Sequence, residues 1–215
     1  MTLSVEVAGD PPEAALRVAG LIAYRARTAV QERGAFTLAL SRGAELAARL
    51  GEEDLPWPHV TVFQVDERVT PVGHHDRNLL QLHAELPAET IRPLPVDDLD
   101  LEAAADRYAA ALPERLDLVH LGLGSDGHTA SLIPGDPVLD IRKRLVAVTR
   151  EHEGYRRMTL TYPALEAARE VVWLVTGESK RDALSRLIEG DVSIPAARVA
   201  TEQQRVVVDR AADSR

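Results

Sequence analysis

An apolar run, Leu118-Val119-His120-Leu121, is followed by Gly122, Gly124 and Gly127, with Asp126 and His128 on either side of the last glycine. Imidazole is the side chain best suited to take a proton from water near neutral pH, and a carboxylate two residues away can fix its tautomer or help orient the water. The glycines let the backbone turn with positive φ, approach a ligand closely and present N–H groups to an oxygen that gains negative charge. The same residues also fit a plain turn in which Asp126 bonds backbone amides and His128 faces solvent. Gly122, Gly124 and Gly127 satisfy G-x-G-x-x-G, but Pro134 and Gly135 end the run before the long helix that a dinucleotide pyrophosphate requires. No acidic residue closes a second strand at the expected distance, so a nicotinamide cofactor is not expected, nor is any other cofactor.

Three more stretches carry groups of chemical interest. Asp66-Glu67-Arg68 follows an apolar run. It reads either as a solvated rim of alternating charges or as an anchor, with Arg68 gripping a carboxylate or phosphate and Asp66 aiming its fork. Ser41-Arg42-Gly43-Ala44 joins a strand to a helix start, where orphan amides and the helix dipole favour an anion; the plainer alternative is capping by Ser41. Lys180 opens a helix after the strongest apolar strand, and Arg156 or Arg157 leads into Met158; either arginine would complete a phosphate clamp with Lys180, although most exposed basic residues only solvate. His74, His75 and Asp76 are not expected to hold a metal, because adjacent histidines should project in different directions and no further ligand is spaced to complete a shell.

The elements that must position these groups follow from periodicity. Residues 11–33 carry Ala14, Leu16, Val18, Leu21, Ile22 and Val30 at helical spacing, with Pro11 and Pro12 at the start and Gly34 at the end. Buried strands are predicted at 35–40, 59–67, 116–121, near 145–149, at 169–177 and at 205–209. Helices are predicted after Ser41 up to Gly51, from Asp76 to Leu86, after Asp98 or Asp100 as cap, at 162–169 and after Glu178. This alternation predicts a single α/β domain over residues 1–215, with a largely parallel, Rossmann-like sheet and helices on both faces. In such sheets ligands bind beyond the carboxyl ends of the strands where the winding reverses, so the loops after residues 40, 65, 121 and 176 are where chemistry belongs.

Composition narrows the classes. The 215 residues are 45% hydrophobic, enough for one substantial core, and the net charge of -9 argues against a protein that tracks a nucleic-acid backbone. A few local cations still allow a small anionic ligand. Without cysteine there is neither a disulfide framework nor a thiolate metal site, which suits a reducing cytoplasm. No leader pattern or membrane-length apolar stretch is present in the sequence, so a cytoplasmic protein with no membrane partner is expected. Nothing in the sequence sets an oligomeric state.

DERVTPVGHHDRN (66–78), GLGSDGHTASLIPG (122–135), RRMTLT (156–161) and VTGESKRDAL (175–184) resemble, in order and spacing, the signature blocks of the glucosamine-6-phosphate isomerase/6-phosphogluconolactonase family, over residues 35–200. The lactonase branch is the better match. The resemblance implies a sugar-phosphate isomerase/deaminase-like fold and hydrolysis of 6-phospho-D-glucono-1,5-lactone in the oxidative pentose phosphate pathway. It implies His128 as general base for water, Asp126 as its acidic neighbour, Asp66, Arg68 and Asn78 in the pocket, and Arg157 and Lys180 at the phosphate. It leaves open whether Asp126 or Asp66 orients His128. One block departs: where the family resembles SGGS or TGG, this chain has Ser41-Arg42-Gly43-Ala44, so Arg42 stands for a glycine and Ala44 lacks a hydroxyl. Two outcomes follow: Arg42 adds a cation to the phosphate, the expected one because Ser41 and Gly43 remain, or the loop is reshaped and substrate affinity falls. The deaminase branch carries a glutamate five residues after the histidine, where this chain has Ile133. A sugar-phosphate sensor without turnover is the alternative from outside the enzymes.

Overall fold

The computed structural model describes residues 2–213. After an opening strand, β1 (Thr2–Ala8), helix α1 (Pro11–Arg33) starts where Asp10 accepts from the Glu13 amide at 2.9 Å, and it stops at Gly34, whose φ of 79° is left-handed. Its buried stripe is mostly alanine, Ala15, Ala19, Ala23 and Ala26 with Val18 and Ile22, so its backbone can lie close to the sheet. Leu16, predicted among the periodic apolar positions, is half exposed.

The main sheet is wholly parallel, in the order β1, β10 (Gln203–Asp209), β9 (Val171–Val175), β6 (Leu118–Leu121), β2 (Phe36–Leu40), β3 (Val60–Gln64), β5 (Ile91–Arg92). From β2 the chain winds outward through β3 to β5, then returns to β6 and winds the other way through β9 and β10. The winding reverses between β2 and β6, and the loops after Leu40 and Leu121 therefore flank one crevice. Alternation along each strand divides the interior into two cores. Leu38, Leu118, Val172 and Val207 face α1, α2 (Ala44–Glu52) and α3 (Asn78–Glu85). Val119, Leu121, Trp173 and Val206 face α4 (Leu101–Ala111), α5 (Tyr162–Glu166) and α6 (Arg181–Glu189). Of the two candidate caps for α4, Asp100 serves, accepting from Ala103 at 3.0 Å.

Three strands lie outside the sequence-based expectation: β1, β5 and one arm of a second sheet. The strand predicted over 59–67 divides at Val65. Its second part, β4 (Asp66–Arg68), pairs antiparallel with β8 (Arg157–Leu160), which pairs with β7 (Val146–Val148). The cause lies at the edge of the main sheet. Pro93 and Pro95 bracket Leu94 just beyond β5, which is only two residues long and pairs with Val62 and Phe63, so the outer edge of β3 runs out of backbone partners at Gln64. The Tyr108 hydroxyl of α4 takes the Gln64 amide at 2.8 Å, the Gln64 side chain accepts from Leu94 at 2.8 Å, and the chain is free to leave the sheet.

Candidate active site

The crevice at the reversal holds a cavity of about 310 Å³. Ser41 and Arg42 line it from the loop after β2, Asp66 and Arg68 from β4, and Asn78 from the first turn of α3. Gly122, Gly124 and His128 line it from the turn after β6, Arg157 from β8, and Lys180 from the short helical turn after β9. The loops after β2, β6 and β9 thus meet β4, β8 and the start of α3 at one cavity. Of the two candidate arginines Arg157 faces the cavity. Gly43 lines an adjoining cavity instead, and Asp126 stands behind His128.

Asp126 Oδ1 lies 2.6 Å from His128 Nδ1 and also accepts the His128 amide at 3.1 Å, so Asp126, not Asp66, holds the imidazole. Partial burial pushes the Asp126 carboxyl up, but the amide and ring of His128 outweigh it and leave the carboxyl below the ordinary range. Gly124 makes room for this pair: a Cβ there would stand 2.2 Å from His128 Nδ1 and 2.5 Å from Asp126 Oδ1. At Gly127 φ is 84°, and a Cβ would meet Ile194 at 2.5 Å. The turn's amides are less available than its glycines suggest. Gly124 N–H donates to the His128 carbonyl at 2.8 Å, Gly127 N–H to the Gly124 carbonyl at 3.0 Å, and His128 N–H to Asp126. These three cannot serve an oxyanion. Gly122 and Leu123 line the cavity, and their amides are not engaged within the turn.

Asp66-Glu67-Arg68 is not a solvated rim. Glu67 is fully buried and accepts from the amides of Arg68 at 2.9 Å, Asn78 at 2.8 Å and Leu79 at 2.9 Å, and from the Gln64 side chain at 2.9 Å. Its carboxylate therefore occupies the N-terminus of α3, where the helix dipole favours it, and ties β4 to that helix. The Arg77 guanidinium lies 3.6 Å away and is itself buried. Asn78 Nδ2 donates to the Asp66 carbonyl at 3.0 Å, leaving Asn78 Oδ1 buried without a partner on the cavity wall. Asp66 does not hold Arg68; it accepts from Ser131 Oγ at 2.6 Å, and burial pushes its carboxyl above the usual range against that bond. Glu67 was legible in the sequence only as one of three charges, since its burial depends on β4 leaving the main sheet. Glu67→Gln is expected to destabilise the fold by about 3–5 kcal/mol, because it removes the charge beside a buried guanidinium and replaces one of two acceptor oxygens with an NH2 that faces other donors; urea unfolding measures it.

Among the described residues none of Arg42, Arg68 and Lys180 is ion-paired, and Arg68 instead donates to the Asp76 carbonyl at 2.7 Å. Arg157 pairs with Glu153 at 3.2 Å and keeps a buried, unpartnered Nε. On a chain of net charge -9, this is a local concentration of positive charge facing one cavity. His74 and His75 do not diverge as expected: their rings stack at 4.5 Å, and Asp76 Oδ2 lies 3.6 Å from His75 Nε2 and 4.0 Å from His74 Nδ1. That carboxylate accepts from the Tyr155 hydroxyl at 2.7 Å, so residues 74–76 brace Arg68 against the hairpin that precedes β8.

A polar cavity at the reversal of a doubly wound parallel sheet, with cations converging on it, marks the class of α/β proteins that handle small anionic molecules. Within that class, the chain belongs to the glucosamine-6-phosphate isomerases/6-phosphogluconolactonase family, whose model matches residues 9–208. A 6-phosphogluconolactonase of Nostoc sp. is 35% identical over 206 residues, covering 87% of this chain and 85% of that one. The rat 6-phosphogluconolactonase is 35% identical over 222 residues, covering 91% and 86%. The crystal structure of 6-phosphogluconolactonase from Thermotoga maritima superposes with a TM-score of 0.86 at 24% identity, over 97% of this chain and 100% of that one. A monomeric glucosamine-6-phosphate deaminase gives 0.84 at 19% identity, over 97% and 98%. These two structural likenesses establish the shared fold.

Proposed function

We propose that this chain hydrolyses 6-phospho-D-glucono-1,5-lactone to 6-phosphogluconate, the lactone-opening step of the oxidative pentose phosphate pathway, with water activated by His128. The observation that carries the mechanism is the 2.6 Å contact between His128 Nδ1 and Asp126. With Nδ1–H donated to the carboxylate, Nε2 is the nitrogen that accepts a proton from water, and Asp126 stabilises the imidazolium that forms. Water adds to C1, the carbonyl oxygen becomes an oxyanion beside the Gly122 and Leu123 amides, and the C1–ring oxygen bond breaks as the imidazolium returns its proton to the leaving oxygen. Asp66 and the free Oδ1 of Asn78 offer acceptors to sugar hydroxyls. Arg42, Arg68, Arg157 and Lys180 pin the phosphate end, which positions C1 without touching it. A lactone is already a reactive ester, so this acid–base and electrostatic help is sufficient.

NMR observation of lactone disappearance, corrected for spontaneous hydrolysis, tests the reading. Ammonia release from glucosamine 6-phosphate would assign the chain to the deaminase branch, against which stands Ile133, a buried aliphatic residue where that branch resembles a glutamate. Binding of 6-phosphogluconate without acceleration would make it a sensor. Lys180→Ala is expected to raise KM for the phosphorylated lactone about tenfold with kcat little changed, the signature of lost uniform binding. Steady-state kinetics reads it, and an unchanged KM would remove Lys180 from the clamp. Among the described residues no helix is long and apolar enough to cross a membrane. The absence of cysteine and the net charge of -9 support a cytoplasmic protein that acts on a small metabolite and not on nucleic acid.

A further inference from the structure

A second cavity, of about 220 Å³, lies on the α1/α2 face of the sheet and adjoins the first across Arg42 and Gly122, which line both. Strand parity sends the His120 side chain there: Leu118 belongs to that face, while Val119 and Leu121 belong to the opposite one. The ring ends up beneath the loop after β2, and no side chain at Gly43 separates that backbone from it; a Cβ there would stand 3.6 Å from His120 Cε1. His120 is 2% exposed, and neither ring nitrogen has a hydrogen-bond partner. A buried polar group in that state is uncommon and costly, and it calls for a ligand that supplies the missing bond. The wall opposite is the first turn of α2, which has no side-chain cap, so its leading amides face the same space. Glu45, the one acidic residue lining the cavity, is exposed.

We propose that this cavity is the inner half of the phosphate seat, where a His120 ring N–H and the first amides of α2 hold phosphate oxygens while Arg42 spans to the outer half with Lys180. The proposal rests on the reading of a phosphorylated substrate. Burial pushes His120 down to about 4, with the nearby Ser41 backbone acting against it without closing a hydrogen bond, so the ring is neutral at physiological pH and donates from one nitrogen. His120 supplies a donor where the loop itself has lost one, since Ala44 carries no hydroxyl. It is a binding residue of this chain that no motif marks.

Two measurements test it. In ¹⁵N-histidine-labelled protein, the His120 ring signals are expected to shift saturably with 6-phosphogluconate and with inorganic phosphate, and not with gluconate. In kinetics, His120→Leu is expected to raise KM for the phosphorylated lactone at least about tenfold while kcat stays within about threefold and hydrolysis of unphosphorylated glucono-1,5-lactone is unchanged; His120→Asn, which keeps a donor, restores part of the loss. Equal losses on both lactones would make His120 merely structural and overturn the proposal, as would silent His120 signals at saturating 6-phosphogluconate in an enzyme that turns over normally. If the wild-type chain fails to hydrolyse the lactone but His120 still responds to inorganic phosphate, the functional reading falls and the seat stands.

Discussion

His128→Ala is expected to lower kcat by about 10²–10⁴, the range over which a positioned general base accelerates proton transfer, and to leave the affinity for 6-phosphogluconate nearly intact. The reasoning separates the two ends of the substrate. In the proposed mechanism His128 meets the water at C1, whereas Arg42, Arg68 and Lys180, none of them ion-paired among the described residues, line the same cavity and are assigned to the phosphate. Isothermal titration with 6-phosphogluconate and steady-state kinetics with the lactone give the two readouts. Affinity lost in proportion to rate would make His128 a ground-state binding group and remove the proposed base.

Gly124→Ala should cost nearly as much rate without touching a reactive atom. The new Cβ would stand 2.2 Å from His128 Nδ1, 2.4 Å from Cε1 and 2.5 Å from Asp126 Oδ1, closer than any non-bonded contact allows. All three atoms are side-chain ends, so the backbone can stay while the imidazole swings away from Asp126. A displacement of about 1 Å at a catalytic group is worth about 10² in rate, and kcat should fall at least that far with the unfolding midpoint moved only slightly. A variant of full activity would mean that the paired geometry of His128 and Asp126 is not what the reaction uses. Asp126→Asn complements it by keeping the shape and removing the charge that holds the imidazolium.

His120 shows why a strand residue two positions before a glycine turn can serve a different cavity from the turn itself. The turn sends His128 toward the outer cavity, while the pleat sends His120 under the loop after β2. Two imidazoles eight residues apart thus flank the same crossover from opposite sides, and Arg42 lies between their cavities.

The alternation of apolar runs with helical stripes was enough to predict a largely parallel α/β sheet and the loops after residues 40, 121 and 176 that line the cavity, because periodicity, proline starts and glycine stops act over a few residues; the fourth expected loop, after residue 65, is instead strand β4. The proline start at Pro11, the stop at Gly34 and the strand at 171–175 are local facts of this kind. What only the tertiary structure decided is how charged and polar groups are partnered, since a buried carboxylate takes its donors from wherever the chain brings them. Glu67 became a helix anchor because β4 left the main sheet to pair with β8, ninety residues away. The amides of Gly124, Gly127 and His128 proved to be engaged within the turn, the two adjacent histidines stacked, and Asp126 rather than Asp66 took the imidazole. Residue types and spacing set which chemistry was possible at each loop; the donors and acceptors that distant segments contribute selected which groups remain free to perform it.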